Sequence, residues 1–205
     1  MSESDDHVLE AIRTWVWSGF YTAGQVNEMI DDILDEDVNE PLVRGAVEPE
    51  FEKKQVAEAV WPEVTDCDRL DQVFAELNKS GIISLQNAGY TMSDGHDDVD
   101  EALSQRQRED VRGYCFYHEQ DVERAMAGDG LMLAFGDLDA EDSQKAEIGK
   151  TVRAALEREG FAVEWDGDPN HRVGIPAFDW KRRAIERHGR ENASWIKAIL
   201  RRLMR

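Results

Sequence analysis

The side chains whose types and spacing could do chemistry fall in a few short stretches. In "GYCFYHEQDVERAMAGDGLMLAFG", residues 113–136, an aromatic-flanked histidine, His118, stands between an apolar run and a charged helical stretch that carries Gln120 and Asp121. If residues 113–118 are extended, side chains alternate, so Tyr114, Phe116 and His118 share one face while Cys115 and Tyr117 share the other. A Cys115–His118 nucleophile and base pair is therefore disfavoured. His118 is expected where a strand ends and a helix begins, and a side chain there binds free backbone N–H groups, or a ligand, or passes a proton. "NAGYTMSDGHDDVDE", residues 87–101, gathers Tyr90, Asp94, His96, Asp97, Asp98, Asp100 and Glu101 and invites a divalent metal. Its order lacks the alternating ligands, central glycine and terminal glutamate of a calcium loop, so it reads as a loop leading into an acidic helix start. Asp66, Asp68 and Arg69 form either a salt-bridged helix start or part of a binding surface. "DGDPNH", residues 166–171, reads as a turn between two β-rich runs.

No Walker loop, dinucleotide fingerprint, Gly-x-Ser-x-Gly elbow or zincin helix occurs. No metal-ligand set and no cofactor is implied. Cys67 and Cys115 match neither a metal spacing nor a secreted disulfide framework, and nothing at the N-terminus reads as a charged, apolar, small-residue signal peptide. A cytoplasmic location and no transmembrane segment are expected.

The elements that must position these residues follow from periodicity. Val8, Leu9, Ile12, Trp15 and Val16 recur at helical spacing up to Gly19. Thr22 and Gln25 make a capping box for a helix with an apolar stripe of Val26, Met29, Ile30, Ile33 and Leu34 and an acidic outer face. A third helix runs to Pro62. Thr65 or Asp66 caps the next helix, with Leu70, Val73, Phe74 and Leu77 inward, and Gly81 ends it. Then β-rich runs ("IISLQ", "YCFYH", "LMLAF", "FAVEW", "RVGIP") alternate with helices expected near Val99 to Glu109, after His118, and over residues 143–160. The fold class is α/β or α+β, a mixed sheet of four to five strands covered by helices and preceded by an N-terminal helical segment. The expected divisions are residues 1–62 (helical segment), 63–180 (core domain) and 181–205, a basic tail packed on the body. In that tail Asn192 caps a helix carrying Trp195, Ile196, Ile199, Leu200 and Leu203.

Charge is uneven. The net charge is −20, but residues 181–205 carry nine Lys or Arg and two acids, which leaves −27 on the rest. Such a body repels phosphate backbones, so nucleic acid is not an expected partner, and it attracts a basic protein instead.

At "WPEVTDCDRLDQVFAEL", "NAGYTMSDG", "GYCFYHEQDVERA", "GLMLAFG", "VEWDG" and "FDWKRR" the chain resembles a family of uncharacterised bacterial proteins, a domain of unknown function. The resemblance runs in order from about Trp61 to Arg183. It implies a bacterial cytosolic protein and carries no assigned reaction. It draws attention to Asp66, Asp68, Arg69, Tyr90, Asp94, His118, Gln120 and Asp121 as the polar positions inside the motifs. Two functions are then open. One is a non-enzymatic interaction or regulatory module with an acidic binding surface, of which an immunity protein is one form. The other is a small-molecule-binding protein or enzyme with a polar pocket around His118 and Asp94.

Overall fold

Local capping chemistry sets most helix starts in this chain. The computed structural model describes residues 2–138 and 142–185. The described chain divides into Pro62–Lys181 and a second unit made of the residues up to Trp61 with residues 182–185.

In the N-terminal unit, α1 (Glu3–Ser18) and α2 (Ala23–Asp31) open on reciprocal boxes, Ser2 with Asp5 and Thr22 with Gln25. Each box satisfies two otherwise orphaned backbone donors. A short helix, α3 (Glu40–Arg44), and α4 (Val47–Glu58) follow. Val8, Ile12, Val16, Val26, Ile30, Val43 and Val47 form the core between them. At about 1.5–3 kcal/mol per fully buried aliphatic side chain, this cluster holds the helices together better than propensity alone would. Buried charges mark its far end. Lys54 is 1% exposed and its Nζ donates to the Val16 carbonyl at 2.9 Å, where α1 runs out of partners. The Arg182 guanidinium lies 4.7 Å from the Phe20 ring centre, and the Ala184 N–H donates to Glu58 Oε1 at 2.9 Å. Gly19, at φ +83°, lies against Arg182, where a Cβ would approach the Arg182 carbonyl to 2.7 Å.

The second unit is α+β. Its elements are α5 (Asp66–Lys79), β1 (Ile82–Leu85), α6 (Met92–Ser104), β2 (Gly113–Phe116), α7 (Glu119–Met126), β3 (Leu131–Asp137), α8 (Asp142–Arg158) and β4 (Val173–Ile175), with a 3-10 turn at Arg108–Asp110. The four strands lie in sequence order, with β1 parallel to β2 and the other neighbours antiparallel. Alternation sorts the faces. Phe116 faces α6, where Gly95 is tolerated only without a Cβ because the ring occupies that space. Gly113 faces α8, against Ile148, and β3 turns Phe135 towards Gly149 of the same helix.

Each edge strand of the sheet is met at one residue. The Asn78 amide mimics a neighbouring strand on β1: Ser84 N–H donates to Asn78 Oδ1 at 3.2 Å and Asn78 Nδ2 donates to the Ser84 carbonyl at 3.0 Å. On β4, Gly174 exchanges two backbone bonds of 2.9 Å with Glu164. That single bridge is what the run "FAVEW" contributes to the sheet. After that bridge the Trp165 Nε1 donates to the carbonyls of Asp168 and His171 in the following turn.

The helix expected near Val99 to Glu109 begins earlier, at Met92, because Thr91 and Asp94 form another capping box inside a stretch rich in turn formers. The helix expected from Asn192 lies outside the described residues. Among the described residues, no helix is long and apolar enough to cross a membrane.

Candidate functional site

The junction between β2 and α7 brings together more of the chemistry-capable residues than any other place in the second unit. His118 is the N-cap of α7, in extended geometry at φ −104° and ψ 176°. Its Nδ1 accepts the Asp121 N–H at 3.3 Å while the Asp121 carboxylate accepts the His118 N–H at 3.3 Å. The pair is a capping box with imidazole in the place where the other boxes of this chain use a hydroxyl. Histidine is outside the usual N-cap set, and it caps only while Nδ1 keeps its lone pair, so the neutral ring with its proton on Nε2 is the form that fits. His118 Nε2 lies 3.2 Å from the same Asp121 oxygen.

The environment favours that neutral ring. Desolvation depresses the His118 pKa, and Arg172 pushes in the same direction, against the opposing pull of Asp121 and Asp94. Asp121, 1% exposed, places its other oxygen 2.8 Å from Arg172 Nη1. A buried carboxylate thus receives a guanidinium, a backbone N–H and an imidazole edge, which is how a charge is kept in a low-dielectric interior.

The loop after β1 packs onto this junction through its backbone. Ala88 N–H donates to the Tyr117 carbonyl at 2.9 Å, and the Gly89 and Tyr90 carbonyls accept from Glu119 and Gln120 at 3.0 and 3.4 Å. Gly89, at φ +60°, sits where a Cβ would collide with Asp94. Asp94 itself is held by the Thr91 N–H at 2.8 Å and hydroxyl at 3.0 Å. Asp94, His118 and Asp121 are therefore neighbours with filled hydrogen-bonding roles, while the Tyr90 side chain is 50% exposed. Gln120 enters through its backbone N–H.

Asp66, Asp68 and Arg69 occupy a different place, the start of α5. Asp68 completes the box with Thr65. Asp66 holds Arg69 at 2.6 Å and accepts the Asp179 N–H at 3.0 Å, and Arg69 reaches the Glu159 carbonyl at 2.8 Å and covers the Phe161 ring at 4.3 Å. These contacts pin the chain around residues 159–161 and 179 to α5. They are the salt-bridged helix start among the two readings of that cluster.

Arg172 is the member of the His118 network that sequence reasoning missed, since it was assigned only to the β-rich run "RVGIP". Its signal was available as a cation at the foot of a turn, opposite an acidic capping position. The turn itself, residues 166–171, closes on an exposed Asp166–His171 pair of 2.7 Å; the Asp168 N–H first, and then His171, lowers the Asp166 pKa, and Asp166 raises that of His171. Cys115 is fully buried, and desolvation pushes its thiol well above the ordinary range, so it is not a thiolate nucleophile. Among the described residues, no three His, Cys, Asp or Glu side chains are grouped as metal ligands. A cleft of about 610 Å³ lies elsewhere, lined by Asn78, Lys79, Arg106, Glu109, Asp110 and Arg112 among others.

The family described as a domain of unknown function (DUF6891) matches residues 1–184, and the chain belongs to it. Neither the comparison with curated proteins nor that with solved structures finds a match.

Proposed function

We propose that this member of the family is a non-enzymatic interaction module that presents an acidic surface to a basic protein partner, an immunity protein being one concrete form. The observation that carries the reading is the stretch 28–40 of the N-terminal unit. Glu28, Asp31, Asp32, Asp35, Glu36, Asp37 and Glu40 are all exposed there. Among the described residues, the cation paired with this stretch is Arg44, which holds Asp31 and Glu40. Leaving so many carboxylates facing water costs self-repulsion that a cationic partner would relieve. Complementary charge would also accelerate encounter and make it sensitive to salt.

Two further observations support recognition through side chains. Both edge strands are short, β1 of four residues and β4 of three, which disfavours partners that add a strand. The polar groups at the β2–α7 junction are spent on one another, which disfavours a polar pocket for a small molecule. One specific observation keeps the pocket reading as the second choice: the half-exposed Tyr90 ring stands on the loop bonded to that junction.

The test is affinity capture from a bacterial lysate in about 20 mM and about 500 mM salt, spanning Debye lengths of roughly 20 to 4 Å. Wild type is compared with Asp32→Asn/Asp35→Asn/Glu36→Gln, whose exposed positions spare the fold. A protein held by wild type at low salt, and released both by salt and by the triple variant, is the expected result. Capture that ignores the triple variant, or no capture at all, would sink the reading and turn attention to Tyr90.

A further inference from the structure

We propose that the cleft at the C-terminal end of α5 binds a small molecule through a phosphate group, held by Lys79, Arg106 and Arg112. The site lies wholly within Pro62–Lys181 and does not rest on the acidic stretch of residues 28–40.

Cations are scarce outside the last 25 positions, and many of them are already paired. Residues 181–205 hold nine of the 24 Lys and Arg, which leaves 15 against 42 acids on the rest. Arg44, Arg69, Arg153, Arg158 and Arg172 each pair with a carboxylate. Lys79, Arg106 and Arg112 line one cleft of about 610 Å³, and among the described residues none of the three does so. The two arginines bond neutral acceptors instead. Arg106 Nη2 donates to Asn78 Oδ1 at 2.9 Å, and Arg112 Nε donates to the Ser80 carbonyl at 3.0 Å. A neutral acceptor orients a guanidinium without cancelling its charge, and most of its N–H donors remain for a ligand. Glu109 and Asp110 line the same cleft, yet among the described residues neither pairs with these cations.

The wall that gathers the cations is firmly built. Three consecutive residues present them: Asn78 holds Arg106, Lys79 is the second cation, and Ser80 holds Arg112. The Asn78 amide is fixed by further bonds, since Nδ2 donates to the Phe74 and Ser84 carbonyls at 3.0 Å each and Oδ1 accepts the Ser84 N–H at 3.2 Å. The Arg112 N–H donates to the Gly81 carbonyl at 2.8 Å. Gly81, at φ +83°, lets the Asp110 carbonyl come within 2.6 Å of where a Cβ would stand. The segment carrying Arg112 is thereby clamped to the turn that follows Lys79.

Compensation of a helix end is the competing account, because cations are favoured beside the exposed carbonyls of a C-terminus. It covers Arg112, which bonds the Ser80 carbonyl. It does not cover Arg106, whose acceptor is a side-chain amide, nor Lys79, whose ammonium bonds nothing among the described residues. The Glu76 and Leu77 carbonyls are already met by the N–H and hydroxyl of Ser80. Phosphate fits the donor set better than carboxylate does. One guanidinium fork satisfies the two oxygens of a carboxylate, whereas two guanidiniums and an ammonium supply donors for all the oxygens of a phosphate. The volume lies within the range of about 300–1,000 Å³ usual for small-molecule clefts, so an organic body has room beside the phosphate.

The experiment is calorimetric titration of the full chain with inorganic pyrophosphate, and with succinate as the carboxylate probe, at about 100 mM ionic strength, where the Debye length is about 10 Å. Pyrophosphate is expected to bind at least about tenfold more tightly than succinate. Arg106→Gln/Arg112→Gln should weaken pyrophosphate at least about tenfold, and Lys79→Gln, which removes no bond seen in the fold, at least about threefold. Glu109→Gln/Asp110→Asn should tighten it about twofold as repulsion is removed. Lys150→Gln/Arg153→Gln, an equal loss of charge at exposed positions of α8, should leave it unchanged. No binding of pyrophosphate to wild type overturns the inference, as does succinate binding as tightly, or the α8 variant weakening binding as much as the cleft variant. If Arg106→Gln/Arg112→Gln fails to fold, Lys79→Gln and Glu109→Gln/Asp110→Asn decide, and unchanged affinity in both overturns the inference.

Discussion

Replacing His118 with alanine tests whether an imidazole can serve as a structural cap in this fold. The substitution removes the acceptor of the Asp121 N–H and the ring edge beside the Asp121 carboxylate, both in a site where His118 is 5% exposed. Loss of an N-cap costs about 1 kcal/mol, and leaving a buried donor unsatisfied raises the total to about 2–3 kcal/mol. His118→Ser restores an acceptor of the kind used by the other boxes and should recover about 1 kcal/mol of that loss. The two also differ in pH dependence. The folded-state pKa of His118 is depressed, so the unfolded chain binds this proton more readily. The stability due to the neutral ring is complete above the ordinary histidine value near 6.5 and is lost as pH falls from there towards the folded value. Wild type should therefore weaken relative to His118→Ser between about pH 7.5 and 5.5, a difference that cancels what the two chains share. The assay is urea unfolding of the full chain followed by tryptophan emission across that range. A cost below about 0.5 kcal/mol for His118→Ala, or a wild-type minus serine difference that stays flat with pH, would refute the argument.

Asp121→Asn strips Arg172 of its carboxylate, and Arg172→Ala leaves a carboxylate that is 1% exposed without its guanidinium. Each should cost about 2–3 kcal/mol, and a double-mutant cycle in the same urea assay should show a coupling above about 1 kcal/mol; additivity would mean the pair is incidental. Gly95→Ala should destabilise by about 1–3 kcal/mol despite the better helix propensity of alanine, because the Phe116 ring fills the space of the new methyl. Rescue by Phe116→Leu, read as a higher urea midpoint than Gly95→Ala alone, would identify the clash as the cause, and a neutral Gly95→Ala would contradict the packing described.

Elements whose evidence is local were legible from sequence. The Thr22–Gln25 box and the apolar stripe behind it place α2, and alternation through residues 113–116 puts Tyr114 and Phe116 on one face, where their rings stack. What could not be read depends on partners distant in sequence. The Thr91–Asp94 box is hidden by the glycines and turn formers around it, and Gly95 in the first turn lowers helix propensity until Phe116, 21 residues later, explains its presence. Arg172 becomes part of the His118 network only because β4 returns beside β3 and brings it to Asp121 across 51 positions. The run "FAVEW" has strand composition, but it contributes a single bridge, from Glu164, and Trp165 bonds the following turn.

The same contrast bears on where a function is to be sought. Polar residues that crowd short motifs draw attention as active sites, yet in this chain the motif positions Asp68, Asp94, His118 and Asp121 are each one half of a reciprocal helix cap. Asp66 and Arg69 are spent on tying distant backbone to α5. A residue whose donors and acceptors are already filled by its own fold has to break a bond worth about 0.5–1.5 kcal/mol before it can serve a ligand. Glu28, Asp32, Asp35 and Glu36 break none, since among the described residues no cation pairs with them. The apolar contacts of their stretch with the core are made by Ile30, Ile33, Leu34 and Val38. The acidity of the four carboxylates is the property that folding leaves unexplained, and it is the property that the proposed basic partner would recognise.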